Sequence, residues 1–289
     1  MPISWLQLSV RTGAADVDAL SNFLIERGSP GVVLKKTGVD AFFVHSNDDA
    51  TLRKDIGLFL EGIAQVPSLG GKPRVQWKII KEQDWQNSWK RFIKPRRVGR
   101  SFWVTPPWLE PPKFRRRQVI TIEPGLAFGT GTHETTRGCM ECLELVADRL
   151  QRGEFTGLDV GTGSGILAIA LAKLGARKIW AIDNDPVALT VARENLRANE
   201  VATRVHLSGT KLSRIKKTFS VAVANLTAET ILAVAGALEK KVAQNGYLIL
   251  SGILHQRRNA ITRCFAAKFR TVRRKRSREW VTLLLQRIE

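Results

Sequence analysis

The feature that most constrains the fold is a βαβ pattern in residues 157–185. An apolar strand that carries Asp159 leads into a glycine-rich loop, residues 161–165, and then into a helix of small residues. A second apolar strand follows and ends at Asp183. Glycines let a ligand approach the backbone closely, and a carboxylate at that strand end can accept hydrogen bonds from both hydroxyls of a ribose. The pattern predicts a doubly wound α/β domain that binds an adenosine-containing ligand.

The spacing of the loop glycines, Gly161, Gly163 and Gly165, distinguishes two classes of cofactor. A dinucleotide-binding loop has the form G-x-G-x-x-G, but Ile166 stands three residues after Gly163. The form G-x-G-x-G after an acidic strand is typical of enzymes that use S-adenosylmethionine (SAM). The loop therefore predicts SAM as the cofactor. A purely structural turn and a nicotinamide cofactor are the alternatives.

A second glycine-rich stretch, residues 123–136, contains three glycines within seven residues and leads into a helix predicted to begin near Glu134. Such a loop could close over a ligand. Thr135 or Thr136 could either cap the helix or hydrogen-bond the ligand, and the residues leave both roles open. His133 and Glu134 are the nearest proton-accepting side chains in the sequence, and neither is assigned that role.

Asn225 follows a predicted strand and is a candidate for positioning a substrate amine. Its carbonyl oxygen could accept from the amine while its amide group binds the cofactor, although an ordinary Asn turn is the alternative. Nucleic-acid enzymes that methylate amino groups usually continue with prolines and an aromatic residue that stacks on the flipped base. Here residues 226–228 are Leu, Thr and Ala, which disfavours that class of substrate.

The formal net charge of +20 is concentrated in two segments of the chain. Residues 71–120 contain 14 basic and 3 acidic side chains, and residues 201–289 contain 18 basic and 4 acidic ones. The densest runs are residues 113–117 and 273–278. Such runs suit contact with the phosphates of ribosomal RNA, whereas a solvated surface that favours solubility is the alternative.

Cysteine content and hydropathy favour a cytoplasmic protein. Cys139 and Cys142 form a C-x-x-C pattern, but the remaining cysteine, Cys264, is distant in sequence, so we expect small core residues rather than a metal or redox site. No apolar run approaches the roughly 20 residues that cross a bilayer, and the N-terminus lacks a signal-peptide pattern. We expect no membrane association and no metal.

The order of predicted elements divides the chain into three parts. Residues 1–82 follow the order βαββαβ of a ferredoxin-like α+β domain, with a hairpin turn at residues 38–40. Residues 83–117 are predicted to form a connecting helix and a basic, proline-rich segment. Residues 118–289 alternate strands and helices, as expected for a mainly parallel, doubly wound sheet that binds ligands at the carboxyl ends of its strands.

The chain resembles the ribosomal protein L11 methyltransferase family (PrmA) over its whole length. The resemblance rests on motifs that occur together and in order: D-W-Q-N-S-W at 84–89, W-V-T-P-P-W at 103–108, E-P-G-L-A-F-G-T-G-T-H-E-T-T at 123–136, D-V-G-T-G-S-G-I-L at 159–167, A-I-D-N-D-P at 181–186, V-A-N-L-T-A-E at 223–229 and L-S-G-I-L at 250–254. The stretch that ends at Thr136 is the most specific, whereas the glycine loop alone indicates only a SAM enzyme.

The resemblance implies a class I SAM-dependent methyltransferase that modifies lysine side chains and the N-terminal α-amine of ribosomal protein L11. It also implies that the small N-terminal domain recognises this substrate while the connecting helix lets the domains reorient. Asn225 would position the amine. Carried over by position, the residues predicted to bind the cofactor are Phe128, Thr136, Gly161, Gly163, Asp183 and Asn225.

The basic composition departs from the family, whose members are often acidic. This departure keeps two alternatives open: a SAM-dependent RNA methyltransferase, and a non-catalytic protein of the same fold that binds ribosomes or RNA.

Overall fold

The fold comprises two compact units, Met1–Ile93 and Lys94–Glu289. The structure is a computed structural model. The residues that it describes are 4–12, 17–35, 38–46, 48–64, 73–81, 94–110, 117–123 and 133–288.

The first unit is a four-stranded antiparallel sheet with two helices. Its strands are β1 (Ser4–Arg11), β2 (Val32–Lys35), β3 (Gly38–Val44) and β4 (Arg74–Lys81), and its helices are α1 (Val17–Glu26) and α2 (Asp49–Ala64). The strand order is β2-β3-β1-β4, which confirms the predicted ferredoxin-like domain. Every second side chain of β1 is buried in one core with the helices, as the two-residue period of a strand requires; these are Leu6, Leu8 and Val10.

The predicted hairpin turn at residues 38–40 is wrong. Gly38 lies within β3 and pairs with Lys35, so residues 38–40 belong to a strand; residues 36–37 lie outside the described residues. Val39 is fully buried in the core, and Asp40 is buried beside Gln7, which donates to its carboxylate over 3.2 Å. The register places Val39 on the face that shares a core with the helices, and a shift by one residue would move it to the opposite face of the sheet.

The second unit is built on a seven-stranded sheet. Its strands are β8 (Thr156–Val160), β9 (Lys178–Ile182), β10 (Val205–Ser208), β11 (Phe219–Asn225), β12 (Val242–Leu254), β13 (Phe269–Ser277) and β14 (Trp280–Arg287). The order is β10-β9-β8-β11-β12-β14-β13, and β14 runs in the direction opposite to the other six strands. This is a mainly parallel, doubly wound sheet, as predicted.

Helices cover both faces of this sheet. They are α3 (Glu134–Ala147), α4 (Ile166–Lys173), α5 (Pro186–Ala198), α6 (Ala228–Glu239) and α7 (Arg258–Phe265). In the central strand β11, Val221 and Val223 belong to one apolar layer, and Ala222 and Ala224 belong to the other. Because the strand is buried on both faces, its sequence is a continuous apolar run, as is typical of parallel sheets. No helix in the described segments is long and apolar enough to cross a membrane.

A small sheet precedes the central one and belongs to the same unit. Its strands are β5 (Arg96–Val98), β6 (Phe102–Thr105) and β7 (Gln118–Thr121). The buried carboxylate of Glu144 on α3 accepts hydrogen bonds from the backbone N–H groups of Arg100 and Ser101, 3.0 and 2.8 Å away. Arg117 donates to the carbonyl oxygens of Gly99 and Phe102. Residues 94–110 and 117 are therefore anchored to the second unit.

Strands β13 and β14 were not predicted from the sequence. The basic run 273–278 falls largely in β13, where Arg273, Arg274, Lys275 and Arg276 are consecutive residues of a strand at the edge of the sheet. Consecutive charges hide the alternation that normally indicates a strand, because here charged side chains project from both faces.

Candidate active site

The glycine loop is bonded to the end of the neighbouring strand, β9. The backbone N–H groups of Gly161 and Thr162 both donate to the carbonyl oxygen of Ile182, over 2.9 and 3.0 Å. Gly161 has a φ of +71°, and a Cβ there would lie 2.4 Å from Cδ2 of Leu226. A side chain at position 161 would therefore be both strained and in collision. Ile166, which excludes the dinucleotide motif, is buried at the start of α4.

Asp183 lies beside this loop, as the sequence predicted for a ribose-binding carboxylate. Its Oδ2 accepts a hydrogen bond from the N–H of Gly163 over 2.9 Å, and its Oδ1 accepts from the N–H of Asp185 over 3.1 Å. A carboxylate has about four acceptor sites, so these two bonds orient Asp183 without using its capacity. Asp183 is half-buried, which leaves its oxygens accessible to a ligand.

Asp159, the acidic residue before the glycine loop, is fully buried. Its Oδ2 accepts from the hydroxyl of Thr162 over 2.7 Å and from the N–H of Ala168 over 3.1 Å. Burial raises the pKa of Asp159 to about 7 and outweighs these two hydrogen bonds, which lower it; the charge of Asp183 raises it further. Asp159 thus ties the loop to the first turn of α4 from inside the protein, whereas Asp183 faces outward.

Asn225 and Thr136 come together although they are far apart in sequence. Asn225 ends β11, and its Nδ2 donates to the hydroxyl oxygen of Thr136 on α3 over 3.4 Å. Thr136 is fully buried. Oδ1 of Asn225 is buried without a hydrogen-bond partner among the described residues. This oxygen is therefore an available acceptor. It lies at the carboxyl ends of the parallel strands, as Gly161 and Asp183 do.

Helix α3 is capped by His133, which the sequence did not predict. Nδ1 of His133 accepts from the N–H of Thr135, and Thr135 and Thr136 lie inside the helix, so of the two roles left open by the sequence the structure excludes capping. An imidazole nitrogen can serve as the acceptor only when it is unprotonated. Burial lowers the pKa of His133, which favours that form. The ring also lies edge-on to Trp280, with centroids 5.3 Å apart.

Asn195 on α5 and Asn199, the residue that caps the C-terminus of α5, support the site and were missed in the sequence. Asn195 donates to the carbonyl oxygen of Ser164 over 2.8 Å and accepts from the N–H of Glu123 over 3.1 Å. Asn199 accepts from the N–H of Thr121 over 2.9 Å. The only signal in the sequence was their four-residue spacing, which places both amides on the same side of the C-terminal end of α5, where both are buried. They join the glycine loop to the strand that leads into the other glycine-rich stretch.

The C-x-x-C pattern lies within the core. Cys139 and Cys142 are both buried in α3, and burial raises the pKa of Cys139 well above its usual value and that of Cys142 to about 12. Both thiols therefore remain protonated. Within the described ranges there is no group of three or more side chains that could hold a metal ion.

Three of the sequence predictions fall on residues outside those that the structure describes. They are Phe128, most of the glycine-rich stretch (124–132) and residues 83–93 of the connecting helix predicted over 83–94. In the basic run 113–117, only Arg117 is described, and its guanidinium is bonded to backbone oxygens.

Comparison with known proteins identifies the family to which this arrangement belongs. The family model for ribosomal protein L11 methyltransferase (PrmA) matches residues 4–288. The chain belongs to this family. It is therefore a methyltransferase, and the family assignment based on the sequence motifs is confirmed.

Individual relatives match over nearly the full chain. The ribosomal protein L11 methyltransferase of Pelobacter propionicus is 37% identical over 306 aligned positions, which cover 99% of each chain. The protein of the same description from Geobacter sulfurreducens is 40% identical and 89% of each chain is covered. A crystal structure of ribosomal protein L11 methylase from Lactobacillus delbrueckii subsp. bulgaricus has a TM-score of 0.62 at 32% identity, covering 68% of this chain and 100% of that one.

The raised pKa of Asp159 predicts a specific dependence of stability on pH. The unfolded chain has a carboxyl pKa near 3.9, so the native protein holds a proton that the unfolded chain releases above that value. The resulting stabilisation is complete below about pH 4 and is lost as the pH rises through 7. Asp159→Asn removes this contribution, so the unfolding free energy of the wild type relative to the variant should fall by up to about 4 kcal/mol between pH 4 and 8.

Urea unfolding of both proteins across this range measures the difference. Glu154→Gln, at an exposed carboxyl group, serves as a control whose stability should parallel that of the wild type. If the Asp159→Asn curve is also parallel to the wild type, Asp159 does not bind a proton in the native state.

Proposed function

We propose that this protein transfers methyl groups from SAM to lysine side chains and the N-terminal α-amine of ribosomal protein L11, in the cytoplasm. The observation that carries the proposal is the site formed by Asn225, Thr136 and Asp183 around the glycine loop. The relatives are described as ribosomal protein L11 methyltransferases, which supports L11 as the substrate. Oδ1 of Asn225, beside the candidate cofactor site, could accept a hydrogen bond from the substrate amine. The RNA methyltransferase alternative lacks an aromatic platform after Asn225.

The residues present fit SAM as the cofactor. Gly161 and Gly163 present backbone without side chains, and both have positive φ values, +71° and +53°. Asp183 beside them retains free acceptor sites for ribose hydroxyls. We assign cofactor binding to these three residues together with Phe128, Thr136 and Asn225. When bound, SAM supplies an electrophilic methyl group on a sulfonium cation.

The contribution of Asn225 is to hold the amine. Its Nδ2 is engaged by Thr136, which leaves the buried Oδ1 to accept a hydrogen bond from the substrate nitrogen. Only a neutral amine has the lone pair needed for attack. An α-amine has a pKa of about 7.7–8.0 and loses its proton readily, whereas a lysine near 10.4 requires a site that lowers its pKa, such as one that excludes water. Positioning then supplies most of the rate.

The three parts of the chain have separate roles in this proposal. We assign substrate recognition to residues 1–82, connection to residues 83–117 and methyl transfer to residues 118–289. Contact with ribosomal RNA through the basic runs is part of the same proposal.

The proposed function is tested by incubating the pure protein with labelled SAM and three acceptors: free L11, whole large ribosomal subunits and naked ribosomal RNA. We expect label on free L11, located by mass spectrometry to lysine and N-terminal amines, because the site offers an amine acceptor without a base-stacking platform. Label confined to RNA would contradict the proposal, and so would the absence of transfer to any acceptor.

The role of Asp183 predicts a loss of cofactor affinity. Asp183→Ala removes the charged acceptor of the ribose hydroxyls, and hydrogen bonds to a charged group are each worth about 1.5–3 kcal/mol. The Kd for SAM, measured by calorimetry, should rise at least tenfold. Asp185→Ala is the matched control, because this neighbouring carboxylate caps α5 by accepting from the N–H of Val187. A Kd that rises equally in both variants would contradict the assignment.

The role of Asn225 predicts a loss of turnover. With SAM and L11 saturating, Asn225→Ala should lower kcat at least tenfold, because the amine loses its acceptor. Asn225→Asp retains an oxygen at the same position and should keep more of the activity than the alanine variant. A kcat within twofold of the wild type in Asn225→Ala would exclude a role in positioning the amine.

A further inference from the structure

The basic run 273–278 divides into two sets of side chains on opposite faces of β13. Arg273 and Lys275 pair with Leu284 and Thr282 of β14 and face α3, where Lys275 forms an ion pair with Glu141. This set is therefore partly neutralised.

The other set faces the opposite side of the sheet. Arg274 and Arg276 are exposed and pair with Leu283 and Val281, which belong to the apolar layer under α6 and α7. Arg258 is the first residue of α7, on the same side of the sheet, and the pKa of His255 is lowered by Arg276, by burial and by the charges of Arg258 and Arg274. We call Arg258, Arg274 and Arg276 the basic edge.

The charges of the basic edge are not neutralised within the part of the chain that the structure describes. Its guanidinium groups donate to the side chain of Asn259 and to the backbone oxygen of residue 278, both neutral acceptors. The carboxylates of the adjoining helix α6, Glu229 and Glu239, are paired with other cations, Arg257 and Lys268. Three cationic side chains close together without a counterion form a surface that attracts polyanions.

The basic edge lies at the same end of the sheet as the candidate active site. Strand β14 is antiparallel to both β12 and β13, so β13 points in the direction of β11 and ends on the side where Asn225 lies. The turn after β13 contacts the end of β12, where the N–H of His255 donates to the carbonyl oxygen of Glu279 over 2.8 Å. The next residue, Trp280, packs on His133, the cap of the helix that carries Thr136.

We propose that the basic edge binds the phosphate backbone of RNA next to the methylation site. Alternate residues of a strand are about 6.6 Å apart, which is comparable to the separation of successive phosphates in a nucleic-acid strand. Guanidinium groups match phosphate oxygens in pairs. The choice of RNA rests on the proposed function, because a ribosomal protein meets ribosomal RNA as its natural partner. The enzyme would then bind L11 and adjoining RNA together in an assembling particle.

The test measures binding of a short fluorescein-labelled single-stranded RNA by anisotropy at several salt concentrations. Each phosphate contact contributes about 0.7 to the slope of log K against log salt for single strands. Arg274→Gln combined with Arg276→Gln should therefore lower the slope by about 1.4 and raise the Kd about 25-fold near 100 mM salt.

The matched control combines Arg193→Gln with Arg197→Gln. These exposed arginines lie on α5, which packs near the opposite edge strand, β10, and the control removes the same two charges. Its slope should equal that of the wild type, and both double variants should methylate free L11 at the wild-type rate. The latter result also shows that both variants fold.

The inference would be overturned if the wild type did not bind RNA, or if both double variants lost RNA binding equally. It would also be overturned if Arg274 and Arg276 contributed to binding of phosphatidylglycerol vesicles but not of RNA. Failure of the proposed function is distinguishable from these. If the wild-type protein binds RNA through the basic edge but does not methylate L11, the proposed substrate is refuted, whereas the proposed RNA-binding surface stands.

Discussion

The candidate site depends on the hydrogen bonds that join the glycine loop to the end of β9. Two N–H groups of the loop share the carbonyl oxygen of Ile182, and a third, on Gly163, donates to the carboxylate of the next residue, Asp183. These bonds require backbone with positive φ at Gly161 and Gly163, which glycine adopts without strain. One of these bonds also orients the carboxylate of Asp183, which would bind ribose. The conformation of the loop therefore determines how this carboxylate is presented to the cofactor.

The burial of the sheet explains why the remaining site residues meet. Strands β8 and β11 are buried on both faces, and Asn225 lies where β11 ends, at the carboxyl ends of the parallel strands. Helix α3 packs across this end and brings Thr136 within 3.4 Å of Asn225. The buried amides of Asn195 and Asn199 hold the adjoining β7 segment to α5 through backbone hydrogen bonds. Thr136, Asn195 and Asn199 are buried with hydrogen-bond partners, as stability demands, whereas Oδ1 of Asn225 has none among the described residues.

Much of this could be predicted from local patterns, and the failures have identifiable physical causes. The glycine spacing and the acidic strand end predicted the loop and Asp183, because both encode local backbone geometry. The turn between β2 and β3 was misplaced since burial of Val39 outweighed the turn preference of its neighbours. The cap of α3 was missed because histidine is an uncommon capping residue, and β13 was missed because its charges mask strand periodicity.

The sequence by itself determined the family, the class of fold and the glycine loop, because these depend on motifs of consecutive residues whose conformation is largely local. Only the tertiary structure decided how distant residues combine: the pairing of Asn225 with Thr136, the contrast between buried Asp159 and accessible Asp183, and the division of one basic run into a neutralised face and the basic edge. These properties arise from burial and strand pairing, which bring together groups that no local pattern connects.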